Sequence, residues 1–124
     1  MSNIRDDEFN LNRRRFMDIQ ELQKRLDEMR VRKDQYRINE IHPFSGFTIR
    51  QTKKGAWWVY YCEYNSIRQL KIFDNESEAC DYFYNWILEW VKKSPDMLED
   101  YIDDFCKKYG IIRGSKIDSK EENH

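Results

Sequence analysis

GAWWVYYCEYNSIRQLKIFDNESEACDYFYNWIL, residues 55–88, decides the fold of this chain. Trp57 to Tyr64 has the rings and β-branched residue of a strand, Asn65-Ser66 reverses the chain, and Ile67 to Phe73 forms the next strand. At Asp74-Asn75 the apolar period changes from two to 3.6. Asn75 followed by Glu78 has the form of a capping box, with Asp74, Glu76 and Glu78 where a helix N-terminus favours anions. The helix buries a stripe of Ala79, Cys80, Phe83, Trp86, Ile87, Trp90 and Val91. Trp57, Trp58, Tyr60 and Tyr61 load both faces of the first strand with large rings, which a sheet with one wet face does not need. The second face must be covered by the rest of the chain or by a partner.

Upstream, FTIRQT alternates Phe47 and Ile49 with Thr48 and Arg50 as a half-buried strand requires, and Lys53-Lys54-Gly55 turns the chain. The expected sheet, residues 46–73, is a three-stranded antiparallel meander. Before it, Phe16, Ile19, Leu22, Leu26, Met29 and Tyr36 predict one stripe on a helix over residues 12–36, with Glu21-Arg25 and Glu28-Arg32 as acid-then-base pairs. That stripe fits either packing on the domain or a homodimer through the N-terminal helix. Residues 37–45, with His42-Pro43, form the expected linker.

Downstream, Pro95 ends the first C-terminal helix (75–94) and opens a second (95–109) capped by Gly110. Leu98, Ile102, Phe105 and Tyr109 lie on one side of it, opposite Asp96, Glu99, Asp100, Asp103 and Asp104. Residues 1–10 and 111–124 are polar enough to fray. The fold class is α+β: one domain over residues 11–110, with an N-terminal helix, the meander, and two C-terminal helices packed on the sheet.

At 124 residues the chain suits one domain able to bury a core, with 40% hydrophobic, 36% charged and 15% aromatic residues. Cys62, Cys80 and Cys106 lack the spacing of zinc or redox sites and are expected to be reduced. With no apolar leader or membrane-length segment, a soluble cytoplasmic protein is expected. Net charge is −1, split as +4 over residues 1–54 and −5 over 55–124. From Asp74 to Asp104 the local balance is −8.

Catalytic chemistry finds few candidates. The histidines, His42 and His124, sit beside a proline and at the last position, and no cysteine has an evident activating base. Glu63 is the one carboxylate on the aromatic strand, and a pairing with Lys71 or Arg68 across the hairpin accounts for it. The glycines at 46, 55, 110 and 114 are isolated, so there is no phosphate loop. Asp100, Asp103 and Asp104 lack the loop of a calcium hand. No enzymatic activity, cofactor or metal is expected.

The Trp58-Val59-Tyr60-Tyr61 strand, Phe73 closing the sheet, and the Glu78-Ala79-Cys80-Asp81-Tyr82-Phe83 helix start resemble small immunity proteins of bacterial polymorphic toxin and contact-dependent inhibition systems. The resemblance covers Gly55 to Leu88 and implies an antitoxin that occupies a cognate toxin without catalysis. An acidic face speeds association with a basic partner such as a nuclease domain, and Tyr and Trp make strong interface anchors. The expected partner-binding set is therefore Trp58, Tyr60, Glu76, Glu78, Asp81, Glu99, Asp100, Asp103 and Asp104. The alternative starts from the basic-aromatic hairpin of Arg50, Lys53, Lys54 and Trp57, which is similar to the sheet of integrase arm-type DNA-binding domains. The acidic half argues against nucleic acid.

Overall fold

The computed structural model of the chain describes residues 17–40, 45–64 and 66–113. The expected frayed start, residues 12–16 of the expected helix, His42-Pro43 and the tail from residue 114 lie outside them. The elements run α1 (Ile19–Met29), a 3₁₀ turn, β1 (Tyr36–Ile38), β2 (Gly46–Gln51), β3 (Trp57–Glu63), β4 (Ser66–Phe73), α2 (Glu76–Lys93), a second 3₁₀ turn (Pro95–Met97) and α3 (Glu99–Tyr109). The class is α+β, with a mixed four-stranded sheet in the order β1-β2-β3-β4.

The meander is present as β2-β3-β4, antiparallel throughout. What the sequence reading missed is β1, which pairs parallel to β2 with Tyr36 opposite Phe47 and Ile38 opposite Ile49. It replaces the start of the expected linker. Three residues are too few to show alternation. Asn39 turns the chain away at φ 57, where its N–H donates to the Ile49 carbonyl at 2.7 Å and its Oδ1 accepts from the Gln51 N–H at 2.9 Å.

α2 forms as its sequence dictates. The Asn75 side chain accepts from the Glu78 N–H at 2.8 Å, and Ala79, Cys80, Phe83 and Ile87 are buried, whereas Trp86 and Val91 of the expected stripe are half-buried and Trp90 is exposed, because the last turns of the helix run past the core. The buried residues pack on Phe47, Ile49, Trp57 and Val59 from the sheet and on Leu22 and Leu26 from α1. The α1 stripe is thus core, on this domain. Two carboxylates serve the α1 N-terminus: Asp18 accepts from the Glu21 N–H and Glu76 from the Ile19 N–H, each at 2.8 Å.

α1 stops at Met29, seven residues before the expected end. Arg30 adopts the left-handed conformation at φ 58, and Val31 turns inward to form an antiparallel bridge with Leu98. The seven-residue step from Met29 to Tyr36 hid this break, because it matches two helical turns equally well. Tyr36 is buried from β1 instead, its hydroxyl accepting from Gln23 at 2.9 Å.

The second C-terminal helix also differs from expectation. Pro95 opens a single 3₁₀ turn that buries Met97, Leu98 is extended, and the α-helix starts only at Glu99. α3 contributes no buried residue and does not lie on the sheet. Two backbone bonds strap it to the end of α1: Arg32 N–H to the Met97 carbonyl and Glu99 N–H to the Arg30 carbonyl, both 2.8 Å. Gly110 at φ 68 caps it, as expected.

The same residue type should therefore matter very differently in the two helices. Phe83→Ala should cost roughly 3–5 kcal/mol in denaturant unfolding, whereas Phe105→Ala should cost less than about 1 kcal/mol.

Candidate functional site

Alternation along β3 places Trp57, Val59 and Tyr61 against α2, where Phe47 meets Tyr61 and Trp86 with ring centroids 5.0 and 4.9 Å apart. Trp58, Tyr60 and Cys62 point to the other face. Register adds Thr48 and Arg50 from β2 and Ile67 and Ile72 from β4 to that face, with Leu70 two residues from Ile72. Its β2 half is closed, since Thr48, Tyr60 and Cys62 are buried. Its β4 half is open: Ile67, Leu70 and Ile72 are 48%, 38% and 57% exposed.

Between the two halves stands Trp58, half-buried, with the Arg50 guanidinium 5.1 Å from its ring centroid. The Arg50 Nε is buried and finds no acceptor among the described residues. A lost hydrogen bond of this kind costs on the order of 1–3 kcal/mol, which the cation–π contact offsets in part.

β4 is also a sheet edge, and its outer backbone groups pair with no strand among the described residues. It carries the features that discourage edge-to-edge pairing. Gln69 sits at φ 55 within a register shift opposite Tyr60, and Arg68 and Lys71 point to the helix side. Glu63, the candidate carboxylate, lies 3.6 Å from Arg68 across the β3-β4 hairpin, the pairing its position predicted.

The expected partner-binding residues do not form one surface. Tyr60 is buried, and Trp58 lies on the face away from α2. Glu76, Glu78 and Asp81 occupy the start of α2, and Glu76 is engaged in capping α1. Glu99, Asp100, Asp103 and Asp104 belong to α3. Because Ile19 at the head of α1 meets Glu76 and Arg30 just past its end meets Asp100, the two acidic groups are separated by about 16 Å, the length of eleven helical residues.

Much of the α3 group is already neutralised. Arg30 pairs with Asp100 and reaches Asp103 at 3.4 Å, while Arg113 pairs with Glu99 and with Asp103 at 2.5 Å. These carboxylates push both guanidinium pKa values up, first through the hydrogen bonds that Asp100 accepts from Arg30 and Glu99 accepts from Arg113. Counting both arginines brings the local balance of the acidic block from −8 to −6. Glu78, Asp81 and Asp104 keep no ion pair among the described residues.

What the sequence reading missed are Ile67, Leu70 and Ile72. A signal was there, in the apolar-charged-apolar run of Leu70, Lys71 and Ile72, but it looks the same whether that face is covered or bare. The described residues include no histidine and no group of three or more metal-type ligands, and no helix among them is long and apolar enough to cross a membrane. Comparison with protein-family models, curated proteins and solved structures finds no match to this chain.

The three thiols are free but unequal. Burial, with Glu76, Asp18 and Asp81 adding to it, pushes the Cys80 thiol up to about 12, while Cys106 on α3 is half-buried. With a raised pKa the reactive thiolate is scarce at ordinary pH. Alkylation of the native protein at mildly alkaline pH should modify Cys106 first and Cys80 at least about a hundredfold more slowly, read by mass spectrometry of peptides. Denaturant should abolish the difference.

Proposed function

We propose that this chain is a non-catalytic protein-binding module, an immunity-type antitoxin acting in the cytoplasm, and that it holds its cognate toxin through the open half of the sheet. The observation that carries the reading is the exposed row of Ile67, Leu70 and Ile72 beside Trp58, on a strand whose outer edge is unpaired among the described residues. A contiguous apolar patch next to unpaired backbone groups suits a protein partner that adds an extended segment to β4 and seats side chains on that row. Arg68 and Lys71 along the edge favour an acidic residue in that segment.

The acidic residues take a secondary part in this reading. Glu78, Asp81 and Asp104, left free of ion pairs among the described residues, bias the approach of a basic toxin such as a nuclease domain. Among the described strands, the sheet face turned away from α2 offers nucleic acid two charged residues, Arg37, which pairs with Glu40, and Arg50, whose guanidinium lies on Trp58. Several cations on the docking face are needed to engage phosphates, so the DNA-binding alternative is the poorer fit.

The test is co-expression with each candidate toxin domain encoded by the genes that flank its own. A stoichiometric complex and rescue of growth are expected, with Leu70→Asp and Ile72→Asp each weakening binding at least about thirtyfold while leaving the thermal midpoint nearly unchanged. Asp104→Asn should slow association and reduce its salt dependence without altering dissociation. Full rescue by the Leu70→Asp/Ile72→Asp double variant would remove the sheet as the binding surface. Salt-sensitive DNA binding in place of a protein complex would favour the alternative.

A further inference from the structure

α3 carries a row of rings that the domain leaves bare. Tyr101, Phe105 and Tyr109 are 46%, 44% and 59% exposed and, spaced four residues apart, follow one side of the helix. Pro95 and Ile102 extend that side into an open groove of about 460 Å³, which Tyr101 and Phe105 also line. The opposite side is occupied: Arg30 holds Asp100 and Asp103, and Arg113 holds Glu99 and Asp103. Those ion pairs and the strap to Arg30 and Arg32 orient the helix so that its rings face solvent.

We propose that this face pairs with the same face of a second copy, the two α3 helices lying antiparallel about a two-fold axis through Phe105. The occupant follows from symmetry and charge. Tyr101 and Tyr109 are equidistant from Phe105, so each meets the other across the axis and Phe105 meets its own counterpart. Like flanks of two helices face each other in an antiparallel pair.

On one flank of the ring row lie Asp104 and Lys108. Asp104 is exposed without an ion pair among the described residues, and the Lys108 ammonium is engaged only over the Tyr109 ring, 5.5 Å from its centroid. In the pair each Asp104 comes beside the partner's Lys108, giving two opposite-charge contacts, and the helix dipoles lie antiparallel, each N-terminus beside the other copy's C-terminus. A unit built on two eleven-residue helices falls below the ~1,200 Å² of a standard specific interface, so the dimer is weak and concentration-dependent. It leaves the apolar row of β4 open and shares only Asp104 with the toxin-binding reading, and self-association of the chain alone is measured apart from toxin capture.

Sedimentation equilibrium of the full chain, from about ten micromolar to about one millimolar, decides the matter. The wild type should form a reversible dimer and Phe105→Glu should stay monomeric. Asp104→Lys and Lys108→Asp should each weaken the dimer about tenfold by placing like charges together, and the double variant Asp104→Lys/Lys108→Asp should regain wild-type association. All these side chains are at the surface, and unchanged far-ultraviolet circular dichroism verifies the fold. A wild type that stays monomeric throughout, a dimer indifferent to Phe105→Glu, or a double variant no stronger than the single ones would each overturn the proposal.

Discussion

Everything in this fold depends on the wedge that α2 drives between the sheet and α1. Ala79, Cys80, Phe83 and Ile87 are fully buried in one core with apolar residues of the sheet and of α1, and so join the two. Close-packed interiors tolerate little change of volume, which makes this layer the part of the molecule least free to vary. The Glu76 carboxylate reinforces the arrangement from outside the core by capping α1 from the first turn of α2.

Because α2 takes one face of the sheet, the other face is left to whatever remains. Tyr60 and Cys62 are buried there, but the β4 half is not, and Ile67, Leu70 and Ile72 stand in solvent. An edge strand with an apolar row is a hazard unless protected or used. The register shift at Gln69 and the paired positive charges at Arg68 and Lys71 discourage self-pairing through this edge and leave it open to a chain of different sequence. The carboxylates lie elsewhere, on the helical side and at two separate ends of it. The apolar row and the acidic groups therefore occupy different surfaces of the molecule.

α3 belongs to the domain in a different way from the other helices. It is tied by a short backbone strap and by ion pairs in which both partners are solvent-exposed or nearly so, a mode of attachment sensitive to salt and poor in buried apolar area. Its charge is internally balanced toward the domain and its rings are turned outward.

The capped start of α2, its buried stripe as far as Ile87, the β2-β3-β4 meander and the Gly110 cap were legible in the chain, because each is set by interactions within a few residues: a side chain reaching its own helix N–H, a period of two or 3.6, a glycine at positive φ. Glu63 was legible for the same reason, its Arg68 partner being just across a tight hairpin. The end of α1 at Arg30, the parallel pairing of Tyr36–Ile38, the choice of face for Trp58 and the detachment of α3 were not. Each depends on residues distant in the chain, Leu98 for Val31, Phe47 for Tyr36, Phe83 for Val59, and a repeating local pattern carries no record of which distant surface arrives to cover it. Local sequence thus determined what the elements are, while tertiary packing alone decided which apolar surface became core and which stayed exposed.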